Sequence, residues 1–85
     1  MPQPWITYIL KCKHGILYTG ITNDIENRVI VHNQGKGGSF TNRNKPCVLV
    51  WHEHHKNRSD AQKRECEIKS WEKQKKLELI NSKLL

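Results

Sequence analysis

The chain has 85 residues, 35% of them apolar, and carries 15 Lys and Arg against 8 Asp and Glu, a net charge of +7. Three Trp, two Tyr and one Phe are enough for one thin two-layer core, which excludes intrinsic disorder, and a chain this short, burying about 60–65% of its extended surface, is expected to form a single domain over 1–85. No apolar run approaches the roughly 18 residues of a membrane span, and a pI near 9.6 makes a polyanion the first partner to consider, although small basic proteins can be merely soluble.

Met1 to Pro4 lack the charged and apolar regions of a signal peptide. From Trp5 to Leu10 every residue is β-branched, aromatic or leucine, which predicts a strand with both faces partly covered. Lys13-His14-Gly15 supplies a turn with a glycine available for positive φ, and Ile16 to Ile21 reads as the returning strand of a β-hairpin. If Cys12 pairs with Ile16, Tyr8 falls opposite Gly20 and Tyr18 opposite Leu10, so both phenols share a face and Gly20 leaves room beside Tyr8.

Asn23-Asp24-Ile25-Glu26 has the form of a capping box with Asn23 as cap, predicting a helix to about Asn33 or Gln34, with Gly35 as its stop. At about 100° per residue, Ile25, Val29 and His32 fall in one sector with Arg28 at its border. A histidine there can be a core residue with its ring nitrogens satisfied or part of a site. Residues 33 to 46 form a cationic loop with three glycines, either a solvated connector or a phosphate contact. Gly35-Lys36-Gly37-Gly38-Ser39 lacks the spacing of a nucleotide-binding loop and follows a helix, so an NTPase is rejected.

Cys47 to Glu53 predicts a third strand, which could join either edge of the hairpin, with pairing to the first strand preferred. His52-Glu53-His54-His55 lacks zincin spacing and reads as a solvent-facing strand end, with a structural or adventitious metal site as the lesser alternative. Ser59-Asp60-Ala61-Gln62 predicts a capped helix reaching Trp71 or Glu72, with Ala61, Ile68 and Trp71 at helical spacing. Glu65 lies about 40° from Ala61 and about 60° from Ile68 on that helix, whereas Glu67 turns toward solvent. A carboxylate aimed at a core must be paired, hydrogen-bonded or metal-bound, so Glu65 is either a site residue or half of a structural salt bridge. Lys73 to Ile80 predicts a short final helix, with Leu77, Ile80 and Leu84 available to close the core. Cys12, Cys47 and Cys66 show no Cys-x-x-Cys spacing, so neither a disulfide framework nor a zinc ribbon is expected, and a reducing cytoplasm fits best.

Tyr8, Tyr18, Arg28, His32 and Glu65 thus follow one another in the order strand, strand, helix, helix, helix. With Tyr8-Ile9-Leu10, Leu17 to Thr22, Asp24 through Arg28 to His32-Asn33, Gly35-Lys36-Gly37 with Thr41, Pro46, Ala61 to Glu65, and Ile68-Lys69, the chain resembles the GIY-YIG endonuclease superfamily, and most closely its small single-domain UPF0213-type members, from residue 5 to about 80. The resemblance implies an α/β (α+β) fold of a three-stranded antiparallel sheet flanked by about three helices, in the order β-β-α-β-α-α. It implies a divalent metal on Glu65, Mg²⁺ first and Mn²⁺ second; Tyr18 as general base or relay; Tyr8 orienting the scissile phosphate or water; Arg28 stabilising the phosphate; and His32 hydrogen-bonding or helping to deprotonate the tyrosine. Lys36, Thr41, Arg43, Lys45 and Lys69 are the expected nucleic-acid contacts.

Elementary chemistry is consistent with these roles. Phosphodiester hydrolysis needs an in-line nucleophile and neutralised non-bridging oxygens, which a metal and a guanidinium supply. A phenol titrating near its usual value of about 10 is mostly protonated at neutral pH, so Arg28, His32 and the metal field would have to lower it. The first name-giving triplet is Ile6-Thr7-Tyr8 here and the second Tyr18-Thr19-Gly20; neither departure removes a reacting group. No appended DNA-reading domain is visible, so little sequence preference is expected. The implied activity is metal-dependent cleavage of DNA in repair or processing by a monomer with no membrane or required protein partner. The alternative is a non-catalytic DNA- or RNA-binding module that retains the fold.

Overall fold

The fold is described from a computed structural model over residues 4–34 and 43–82. Strands β1 (Trp5–Lys11) and β2 (Leu17–Thr22) form an antiparallel hairpin around a 3₁₀ turn at Lys13–Gly15. His14 and Gly15 turn it with φ of 64° and 75°, and the Cys12 amide donates to the Ile16 carbonyl at 2.7 Å. That bond fixes the expected register: Tyr8 lies opposite Gly20 and Leu10 opposite Tyr18. Ile16 itself belongs to the turn's exit, so β2 starts one residue later than its β-branched sequence suggests.

Strand β3 (Val48–His55) pairs antiparallel with β1, giving the order β2-β1-β3 and a register shift between Ile9 and Leu10. It runs two residues beyond the expected Glu53, so His52 to His55 form the end of the strand as expected, with His54 exposed and the other three half-buried. Alternation sends His52 and His54 to the face of Tyr8 and Ile6, and Glu53 and His55 to the face of Thr7 and Trp5. His55 Nε2 and Arg64 Nε approach the same Glu53 oxygen at 3.0 and 3.2 Å, outside good hydrogen-bond alignment.

Helix α1 (Ile25–Asn33) is capped by Asp24, not Asn23: the Asp24 carboxylate accepts from the Asn27 amide, while the Asp24 amide donates to Thr22 Oγ1 at 3.1 Å. Because β2 extends through Thr22, Asn23 is consumed as the joint between strand and helix. Helix α2 (Arg58–Lys69) is capped by Asn57, whose side-chain Oδ1 accepts from the Asp60 amide at 2.8 Å, not by Ser59. It ends before Trp71, where the Ser70 amide reaches the Cys66 and Glu67 carbonyls and the Ser70 hydroxyl donates to Glu67 O. Helix α3 (Lys73–Ser82) follows, making three helices among the described residues in the expected order.

Each face of the sheet has its own core. Ile6, Tyr8, Leu10, Cys12 and Cys47 pack with Ile25 and Val29 of α1 on one face. Ile9 and Trp51 pack with Ile68 of α2 and Ile80 of α3 on the other, with Trp71 and Leu77 against them; Leu84 lies outside the described residues. The Thr7 hydroxyl, fully buried, donates to the Ala61 carbonyl at 2.8 Å and so ties the central strand to α2. No helix among the described residues is long and apolar enough to cross a membrane.

Candidate active site

Tyr8 sits on the central strand, fully buried, and its ring fills the space that a side chain at Gly20 would need. A Cβ at Gly20 would come within 2.6 Å of the Tyr8 hydroxyl and 3.1 Å of Tyr18 Cε1, so glycine is required for the two phenols to lie side by side. Their ring centres are 6.3 Å apart. His32, fully buried on the inner face of α1, meets both: Nε2 lies 3.1 Å from the Tyr8 hydroxyl, and the ring stands edge-on to Tyr18 at 5.1 Å.

Burial pushes the Tyr8 phenol up to about 12, and the neighbouring Arg28 guanidinium, which favours the phenolate, does not reverse this. Burial, followed by the Arg28 charge, lowers His32 below its usual value. Both groups are therefore neutral near pH 7. A hydrogen bond in which the phenol donates to Nε2 puts the imidazole proton on Nδ1. Tyr8 cannot serve as a base at neutral pH, whereas Tyr18 is partly exposed on the edge strand.

An open cleft of about 400 Å³ lies beside this triad. Tyr8, Tyr18, Arg28 and Glu65 all line it, so four of the five residues singled out in the sequence face one space, with His32 behind Tyr8. Arg28 reaches it from the second turn of α1, and its buried Nε has no hydrogen-bond partner among the described residues. Such a donor is one that an incoming anionic oxygen would satisfy. Glu65 arrives from α2, on the opposite side of the sheet edge, with a side chain 17% exposed and one oxygen 3.2 Å from Lys69 Nζ. Glu65 is thus ion-paired to Lys69, as the salt-bridge alternative expected of a lysine, and it also lines the cleft.

Lys69 is engaged with Glu65, and Arg43 and Lys45 are exposed; none of the three lines the cleft. Lys36 and Thr41 lie outside the described residues. The sequence reading missed Trp5, Thr22, Asn23 and Arg58, which also line the cleft. For Arg58 the signal existed. With Asn57 as cap it is the first residue of α2, seven positions before Glu65 and hence within about 20° of it on the same helix face. Taking Ser59 as the cap leaves Arg58 in the preceding loop and hides that relationship.

The sequence profile of the GIY-YIG catalytic domain matches residues 4–78. The chain belongs to the GIY-YIG family. It is 51% identical over 74 residues to a UPF0213 protein of Staphylococcus saprophyticus, spanning 87% of this chain and 90% of that one. A UPF0213 protein of Staphylococcus haemolyticus is 45% identical over 76 residues, spanning 89% and 93%. The fold matches the solution NMR structure of a UPF0213 protein from Bacillus halodurans with a TM-score of 0.62 and 35% identity, over 94% of this chain and 85% of that chain. GIY-YIG membership makes this a chain of a nuclease family, with nucleic acid as the substrate class and divalent metals in general use.

The donor set of this GIY-YIG cleft fits such a metal. Among the described residues Glu65 is the one carboxylate lining it, and no group of three or more His, Cys, Asp and Glu could form an all-protein cage. Mg²⁺ is held in this way in phosphoryl-transfer sites, by one or two carboxylates with water and substrate phosphate completing the shell.

Proposed function

We propose that this protein is a divalent-metal-dependent endonuclease that hydrolyses phosphodiester bonds of DNA, directed by structure more than by sequence, in DNA repair or processing in the cytoplasm. The observation that carries the reading is the meeting of Tyr8, Tyr18, Arg28 and Glu65 in one cleft, with a buried Arg28 Nε that has no hydrogen-bond partner among the described residues. Glu65 would hold the metal, Mg²⁺ before Mn²⁺, which when bound supplies charge neutralisation on the phosphate and a more acidic water.

Tyr18 acts as general base or relay: its oxygen takes the proton of the attacking water as its own phenolic proton passes to solvent in the open cleft. The buried Tyr8 cannot do so near pH 7; it orients the scissile phosphate or the water. Arg28 binds the non-bridging oxygens, where charge grows as the nucleophile approaches. His32, neutral behind Tyr8, fixes the direction of the Tyr8 hydroxyl. Arg43, Lys45 and Lys69 contribute contacts to the DNA backbone outside the cleft, and Lys36 and Thr41 are further backbone contacts.

The test is incubation of purified protein with branched, flapped and linear DNA in Mg²⁺ or Mn²⁺. Cuts abolished by Glu65→Gln and by Tyr18→Phe are expected. Salt-dependent binding with no cleavage under any metal, and unaffected by Tyr18→Phe, would instead identify a binding module that retains the fold.

A further inference from the structure

Trp5 and Arg58 occupy a part of the cleft that the hydrolytic chemistry leaves unused. Trp5 is the half-buried first residue of β1, and Arg58 the exposed first residue of α2. The Arg58 guanidinium carbon lies 5.6 Å from the centre of the Trp5 ring, and both side chains line the cleft beside Arg28 and Glu65.

A second arginine in the same chain shows what a purely structural stack looks like. Arg64 lies over Trp51 and Trp71, and its charge is taken up by Glu53 and Glu67. Arg58 has the aromatic floor but no ion-pair partner among the described residues. A guanidinium set over an indole at 5.6 Å, with no ion-pair partner among the described residues and a cleft in front of it, suits a ligand that is both planar and anionic. A nucleotide has a base to stack and a phosphate to pair, and a planar guanidinium serves both.

We propose that Trp5 and Arg58 bind one unpaired nucleotide of the DNA beside the scissile phosphate, stacking its base on the guanidinium and indole. A base inside a duplex is stacked on both sides and offers no face to Arg58, so the substrate must carry an unpaired nucleotide, as a flap or bulge does. A cleft of about 400 Å³ is on the scale of one small ligand. The proposal rests on the nuclease reading for the position of the scissile phosphate.

Binding is measured by fluorescence anisotropy without metal, in the Glu65→Gln protein, using labelled blunt duplex, duplex with a single-stranded flap, and the same flap made abasic at its junction nucleotide. The flap should bind about 10-fold tighter than blunt duplex, and the abasic flap should lose most of that gain. Arg58→Ala and Trp5→Ala in the same background should remove the preference, so that each variant binds flap and blunt duplex with the same affinity. Arg58→Lys should not restore it, because an ammonium keeps the charge and loses the stack. Equal affinity for flap and duplex, an abasic flap that binds as well as the intact one, or full rescue by Arg58→Lys would overturn the proposal. The abasic arm needs no cleft variant beyond the common background, and melting curves identify any Trp5→Ala unfolding. Binding as described with no cleavage by the unsubstituted protein under any metal would remove the nuclease reading and leave the nucleotide site; cleavage without flap preference would do the reverse.

Discussion

The Tyr8 hydroxyl and His32 Nε2 are 3.1 Å apart, with both side chains fully buried. The pair joins the central strand to α1 and puts a hydrogen-bonded polar contact in the middle of an apolar layer. Each group satisfies the other, and each resists ionisation for the same reason, burial.

This pairing predicts a two-sided pH profile of stability. The unfolded Tyr8 phenol loses its proton near pH 10, whereas the folded one holds it to about 12, so stability falls as pH rises through that window. Cys12, also raised to about 12 by burial and by Cys47, adds to the loss from about pH 9 upward. On the acid side the unfolded His32 takes up a proton that the folded chain refuses, so stability declines below about pH 6.5. Urea titrations across pH should show both limbs, with Tyr8→Phe flattening the alkaline one and His32→Gln the acid one.

Gly20→Ala places a methyl group against the Tyr8 hydroxyl and Cζ, at 2.6 and 2.8 Å. Tyr8 is enclosed and cannot swing away, so overpacking should cost about 1–3 kcal/mol. Thermal melting should show a drop of about 4–8 °C for each kcal/mol lost. An unchanged melting temperature would mean that the two phenols are not held side by side.

Tyr18→Phe should reduce cleavage by roughly 10²-fold or more while leaving DNA affinity within about 2-fold, because a base acts in the chemical step and contributes little to binding. Arg28→Lys should lower the rate by about 10²-fold as well, since one ammonium cannot reproduce the fork of the guanidinium. Single-turnover kinetics beside equilibrium binding separates the two effects.

Lys69 predicts a gain. Its ammonium lies 3.2 Å from Glu65 and opposes a cation on the same carboxylate. Lys69→Ala should tighten Mn²⁺ binding a few-fold at low ionic strength, with the advantage shrinking as salt screens the exposed charge. Calorimetric titration with Mn²⁺ at two salt concentrations reads this directly.

The hairpin register was legible in the sequence because a turn with Gly15 and a period of two leave few alternatives, and that register puts Tyr8, Tyr18 and Gly20 together. The inward turn of Glu65 was legible because helix phase needs only Ala61 and Ile68 as reference. The caps were not. Asn23 and Asp24, like Asn57 and Ser59, are both competent acceptors, and the choice depends on where the preceding strand ends, which is a matter of sheet pairing. The misread second cap concealed Arg58, and with it the Trp5 wall of the cleft. His32 and Glu65 each had a bland alternative that only the third dimension could weigh.

At the foot of the glycine-rich segment, the Asn33 carboxamide donates to the Cys47 carbonyl at 2.9 Å and accepts from the Cys47 amide at 2.7 Å. This double bond of side chain to backbone copies the pairing of a neighbouring strand and fastens the end of α1 to the start of β3. Lengthening a chain segment whose two ends are already tied costs little, about 0.6 kcal/mol for each doubling. The stretch between Asn33 and Cys47 is therefore a place where evolution or an engineer can insert, shorten or graft sequence while the cleft keeps its shape. New substrate preferences could be acquired there by exchanging one cassette, with the reacting groups left untouched.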